Sequence, residues 1–293
     1  MITSRWATRL MVVLVAVLCL TPGPHARRLT AQAARPSRIV SLVPAATEML
    51  FAIGAGPAVV GVSSFDTFPP EARTRPKVGA LVDPDFERIL SLKPDLVIVY
   101  KSQDELIQRL ARVNIPTFIY VHAALADVTE TIRAIGNRIG RGAEGSALAQ
   151  RIDADLDRVH ASVAGHPRPR TVLLFGREPG TLRSMYASAG VGFMHDLLLV
   201  AGGADAFDDV KRQSLQVTTE VLLARAPDVV LEVHPSPTWT TARMAAERKV
   251  WDTLASLPAV RTNRILILAD DRLVLPGPRV AEAARLMAEA LHR

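Results

Sequence analysis

Phe86-Glu87-Arg88-Ile89-Leu90-Ser91-Leu92-Lys93-Pro94-Asp95-Leu96-Val97-Ile98-Val99 is answered later in the chain by Thr219-Glu220-Val221-Leu222-Leu223-Ala224-Arg225-Ala226-Pro227-Asp228-Val229-Val230-Leu231-Glu232. Each stretch reads as a short helix carrying a Glu seven residues ahead of a Pro-Asp pair. Proline ends the helix, because it lacks an N–H and its ring crowds the preceding turn. The apolar run that follows reads as a strand buried on both faces, as in a parallel sheet. Upstream, Arg38-Ile39-Val40-Ser41-Leu42 echoes Arg170-Thr171-Val172-Leu173-Leu174. The chain therefore reads as two similar α/β lobes with central, mostly parallel sheets and a ligand cleft between them.

The rest of the pattern fills in these lobes. Strands are expected over 38–42, 59–62, 95–100 and 117–121, with helices over 47–53, 86–92 and 103–113 between them. Residues 127–160 contain no proline, and Ile132, Ile135, Ile139, Leu148, Ile152, Leu156 and Val159 recur at helical spacing. One long connecting helix is expected there, with Gly140–Gly142 as its point of interruption. A second series follows, with strands over 171–175, 229–233 and 265–268 and a closing helix over 279–291. The domains read as a first lobe over 38–126, a backbone helix over 127–165 and a second lobe over 170–293.

Ahead of them, Arg5 and Arg9, an apolar run over 10–20 and Ala31-Gln32-Ala33 make a cleavable export signal over 1–33. Its apolar helix spans ~16 Å, too short for a hydrocarbon core of ~30 Å. Cys19 follows bulky Leu18, where a lipoprotein signal carries a small residue. The expected location is therefore periplasmic or otherwise extracytoplasmic.

Composition narrows the function. Hydrophobic residues make up 49% of the 293, which excludes a disordered chain, and a single cysteine excludes a disulfide scaffold. The net charge of +6 invites a nucleic-acid reading. Four arginines of the signal account for much of it; without them 31 basic residues face 29 acidic ones, a balance of +2 with no basic block. No nucleic-acid partner is expected. No G-x-S-x-G, Walker A, H-E-x-x-H or C-x-x-C is present, and Gly54-Ala55-Gly56 follows a helix instead of a strand. With no nucleophile–base constellation, an enzyme is not expected.

In open α/β sheets, ligands bind beyond the carboxyl ends of the strands. Phe65 and Tyr100 fall there and are read as ligand-stacking residues; Phe68 and Phe175 read equally well as cleft or core. Of Asp270 and Asp271, one turns the chain and the other hydrogen-bonds a ligand. Glu232 and His234 share a strand face, and with His122 and Asp271 they offer an alternative: an N/O site for zinc, manganese or iron. His195 reads as a surface or capping residue. Glu87 and Glu220 hold equivalent places in the two lobes, which suits a two-point electrostatic latch for a partner.

The chain resembles the helical-backbone substrate-binding proteins of bacterial ABC importers, a group that binds cobalamin, haem and ferric siderophores. The resemblance rests on the run from Arg38 to Glu48, on Val62-Ser63-Ser64-Phe65-Asp66-Thr67-Phe68-Pro69-Pro70-Glu71-Ala72, on Pro76-Lys77-Val78-Gly79, on Leu92-Lys93-Pro94-Asp95-Leu96-Val97 and on Gly277-Pro278-Arg279. Its Ser-Ser-Phe-Asp-Thr-Phe-Pro-Pro loop looks most like the vitamin B12-binding branch. That resemblance implies ligand contacts from Phe65, Tyr100 and Asp271, with Pro44, Leu81 and Phe175 completing the wall. It also implies docking of Glu87 and Glu220 onto arginines of the membrane permease. No resident cofactor or metal is implied; the cargo is cobalamin or an iron chelate, carried by a monomer. Leu81 and Ser214 stand where similar cobalamin binders often carry tryptophan, which keeps haem and ferric siderophores as the alternative cargo. A single backbone helix implies modest closure around a preformed pocket.

Overall fold

Strands β1 (Ile39–Ser41), β2 (Val59–Val62), β3 (Leu96–Tyr100) and β4 (Thr117–Tyr120) form a parallel sheet in the order β2-β1-β3-β4. Helices α1 (Pro44–Ala52), α2 (Pro70–Arg73), α3 (Phe86–Ser91) and α4 (Asp104–Arg112) connect them. Helix α1 begins three residues before the expected start at 47, with Pro44 in its first turn, where the missing N–H costs no helical bond. The computed structural model describes residues 35–121, 124–235 and 239–293, and residues 35–293 form a single compact unit. The expected signal segment and His122 lie outside the described residues.

The expected single connecting helix is in fact two. Helix α5 (Ala126–Arg138) stops, Gly140 turns the chain with a φ of +73°, and α6 (Gly142–Ser162) runs back along α5. Arg133 on α5 pairs with Asp153 on α6 at 2.7 Å. Two glycines let the backbones cross closely: a Cβ on Gly136 would lie 2.8 Å from the Arg141 carbonyl oxygen and 3.2 Å from the Gly145 Cα. The apolar period runs unbroken through both helices because each buries one face against the same core, so periodicity alone does not mark the reversal.

Beyond α6 lie β5 (Arg170–Gly176), β6 (Met185–Ala189), β7 (Ala204–Asp205), β8 (Arg212–Val217), β9 (Val229–His234) and β10 (Ile265–Ala269). Their order is β10-β9-β5-β6-β8, with β7 beside the start of β5; β5, β7, β9 and β10 are parallel, and β6 runs antiparallel to both its neighbours, β5 and β8. Helices α7 (Phe193–Val200), α8 (Thr219–Arg225), α9 (Thr241–Lys249), α10 (Pro258–Arg261) and α11 (Val280–Leu291) complete this lobe.

The repeat holds at the level of single hydrogen bonds. Asp95 accepts the Arg38 N–H at 2.9 Å, and Asp228 accepts the Arg170 N–H at 3.0 Å. Each arginine then turns its Nε onto the end of the helix ahead of its aspartate, Arg38 to the Leu92 carbonyl and Arg170 to the Arg225 carbonyl, both at 3.0 Å. The residues just before the prolines, Lys93 and Ala226, are both left-handed, at φ of 47° and 45°. Between the lobes the apolar core is continuous, running from Met49 and Ile132 through Ile152 to Leu197, Leu231 and Met287. Close packing of this kind resists hinge opening.

Candidate ligand cleft

Loops beyond the carboxyl ends of the two sheets meet each other. Arg279, just past β10, reaches Glu48 on α1, and Asp196 on α7 accepts the Leu125 N–H at 2.9 Å. In the first lobe the loop after β2 projects Phe65, which is 72% exposed. An exposed ring of this size on a strand-end loop gains nothing from the core and is free to stack on a guest. The loop is fastened from beneath, because the Ser64 N–H donates to the Gly79 carbonyl at 2.8 Å. Gly79 is left-handed, and any Cβ there would strike the Asp83 oxygen. The turn so formed leaves Leu81 exposed and Val82 92% exposed. Gln103 ties this turn to β3 by donating to the Leu81 carbonyl at 3.1 Å while accepting the Tyr100 N–H at 3.0 Å.

Tyr100 is half-buried and meets Tyr120 edge to face, with ring centroids 5.7 Å apart. Burial, reinforced by the nearby Asp66 carboxylate, pushes its hydroxyl up to about 12, so it stays a neutral donor. Pro44 is half-buried at the start of α1. Asp66 is buried with both carboxylate oxygens lacking a donor. Thr47 beside it gives its hydroxyl to the Val43 carbonyl, and Lys77 reaches only the Asp66 backbone oxygen, at 2.9 Å. Burial pushes the Asp66 carboxyl up to about 7.

In the second lobe, half-buried Phe175 at the end of β5 lines a cavity of about 410 Å³ with Phe193, Met194, Gln213, Ser214 and Val274. Phe175 thus packs against the core and also lines this cavity. Asp270 is the acid that turns the chain, accepting the Arg272 N–H at 3.0 Å. Asp271, expected to meet the ligand, directs both oxygens at Arg279, each at 3.3 Å. Phe68 lies under that same guanidinium, whose Cζ is 4.0 Å from the ring centroid.

Both carboxylates of the metal reading are engaged elsewhere, Asp271 by Arg279 and Glu232 within the core. Glu232 and His234 do share a face, at 3.1 Å, but Glu232 is fully buried and holds Arg177 at 3.0 Å and the Trp251 indole N–H at 2.5 Å. Among the described residues no group of three metal-ligating side chains converges. His195 is a correction: it is buried, with Nδ1 2.9 Å from Asp205, which also accepts the Ser188 hydroxyl. With the Phe207 N–H donating to the other Asp205 oxygen at 2.8 Å, three polar partners around one carboxylate make this a core tie.

Glu87 and Glu220 each occupy the second residue of a short helix, α3 and α8, behind N-caps Asp85 and Thr218. Glu87 is 84% exposed along its side chain, and Arg109 lies 3.9 Å away, too far to engage it fully. Glu220 is exposed as well, and the Thr218 hydroxyl holds its carboxyl below the ordinary range. Sequence reasoning missed Glu48, Arg279 and Arg177, whose pairing depends on contacts far apart in the chain.

The profile of the periplasmic binding protein family matches residues 39–271. The chain belongs to that family. A vitamin B12-binding protein of Salmonella typhimurium is 27% identical over 87% of this chain and 90% of its own. An uncharacterised ABC transporter substrate-binding lipoprotein of Bacillus subtilis is 28% identical, over 88% and 80%. Among solved structures, the haem-binding protein RhuT of Roseiflexus is 28% identical with a TM-score of 0.73, over 87% of this chain and 98% of that one. The vitamin B12-binding protein BtuF of Vibrio cholerae superposes with a TM-score of 0.74 at 24% identity, over 88% and 97%. Fold and family are those of periplasmic binding proteins.

Proposed function

We propose that this protein captures a cobalamin-class metal chelate outside the cytoplasm and delivers it to the membrane permease of an ABC importer. One observation carries the choice of cargo. Each lobe offers an aromatic ring beyond its strand ends, Phe65 exposed on the loop after β2 and Phe175 lining the second-lobe cavity, and three arginines of the second lobe are paired with carboxylates. Arg177 is held by Glu232 and Glu247, Arg272 by Asp270 and Glu282, and Arg279 by Glu48 and Asp271. A flat ring system with neutral amide edges suits apolar and aromatic walls of this kind. Phe65 and Tyr100 stack on the ring, with Pro44, Leu81 and Phe175 closing the apolar wall. Asp271 accepts from an amide once Arg279 yields one of its two long contacts. The protein holds no cofactor of its own and acts as a monomer. Glu87 and Glu220 dock onto basic residues of the permease, one per lobe.

Haem is the second reading, favoured by the 28% identity to a haem-binding structure and by Leu81 and Ser214 in place of large aromatic walls. Gel filtration after separate incubation with cyanocobalamin, haemin and a ferric siderophore distinguishes the cargoes by visible absorbance. Cyanocobalamin is expected to co-elute with the protein. Co-elution of haemin alone would replace this reading with the second.

A further inference from the structure

Only one ion pair among the described residues joins the two lobes, and it ties the turn ahead of α11 to helix α1. Arg279 and Glu48 are separated by 231 positions in the chain. The guanidinium Nε and Nη2 donate to the two Glu48 oxygens at 2.9 and 2.5 Å, a bidentate fork that fixes orientation as well as distance. Both side chains are largely shielded from water, at 16% and 3% exposure. Local sequence makes the approach possible. A Cβ on Gly277 would sit 3.3 Å from a Glu48 oxygen, so Gly277-Pro278 lets the second lobe's backbone abut the first lobe's helix.

Arg279 does more than bridge two lobes. Its fork also holds Asp271 at the mouth of β10, and its flat face rests on Phe68, in the loop that projects Phe65. Three parts of the cleft wall thus converge on one side chain: α1, the end of β10, and the loop after β2. Beside it is a cavity of about 640 Å³, lined by Phe51, Phe68, Pro69, Arg75 and Pro278, which leaves room for these parts to move apart were the fork lost. On α7, Asp196 and the continuous core also hold the lobes together.

We propose that Arg279 is a positioning residue that sets the spacing between the lobes, so that rings from both lobes reach the same guest. The proposal rests on the reading of the cleft as the ligand site, but the spacing itself can be measured with no ligand present. Spin labels at Gln108→Cys on α4 and Ala224→Cys on α8, in a Cys19→Ser background, report the lobe-to-lobe distance distribution. A single narrow distribution is expected with the fork intact. Glu48→Gln, which keeps the shape, and Arg279→Met are each expected to broaden it, and Arg279→Lys to recover part of the narrowness. Cyanocobalamin dissociation constants should rise in parallel, by about tenfold if the competent spacing falls to about a tenth of the population. Unchanged distributions in Glu48→Gln and Arg279→Met overturn the proposal. So does an Arg279→Met protein that fails to fold alongside a Glu48→Gln protein of unaltered spacing. Broadened distributions in a protein that binds no cyanocobalamin uphold the spacing role and count against the ligand reading instead.

Discussion

Asp66 illustrates how a single side chain in this cleft departs from ordinary solution chemistry. In the unfolded chain its carboxyl releases its proton near 3.8, whereas in the fold burial moves that to about 7. Between those values the folded state binds a proton that the unfolded state has lost, so stability falls as pH rises from about 4 through 7. Asp66→Asn removes the penalty. Chemical denaturation should find the variant more stable than wild type at pH 8, by on the order of 2–4 kcal/mol, and similar to it at pH 4. Phe65 gives the opposite signature. Because its ring is exposed, Phe65→Ala should leave the melting temperature within about 1 °C while weakening cyanocobalamin binding by about tenfold, or ~1.4 kcal/mol. The exposure of Phe65 was legible in the sequence because it falls just past an apolar strand, outside the strand interior. Asp66, its neighbour, was not: burial of a short acid in a polar loop depends on what the rest of the fold lays over it.

Single elements show the same division. The strands and the Pro-Asp punctuation were legible because each follows from local rules: proline stops a helix, and an apolar run too short for a helix is a strand. The hairpin of α5 and α6 was not, since one apolar period serves two helices that pack on a common core. Gly136 and Gly145 are what allow that hairpin to close. Gly136→Ala places a methyl group 2.8 Å from a backbone oxygen that cannot rotate away. It should destabilise the protein by ~1–3 kcal/mol in urea unfolding, despite alanine's better helix propensity. A gain in stability would mean that the helices are not so closely apposed.

For the molecule as a whole, duplication explains both the architecture and the placement of its acids. The paired Arg38–Asp95 and Arg170–Asp228 contacts show two lobes built on one pattern, so a residue at a fixed point in that pattern recurs once per lobe. Glu87 and Glu220 are such a pair. Replacing both with alanine should leave cyanocobalamin affinity unchanged and abolish ligand-stimulated ATP hydrolysis by the reconstituted importer; lost affinity would mean that they belong to the ligand site. The contacts that hold the lobes together were invisible beforehand, because Glu48 and Arg279 acquire meaning only once the turn ahead of α11 lies against α1. The account as a whole turns on what the cleft accepts. Isothermal titration calorimetry of the purified protein with cyanocobalamin should give saturable heat at one site per chain, and a flat thermogram would contradict it.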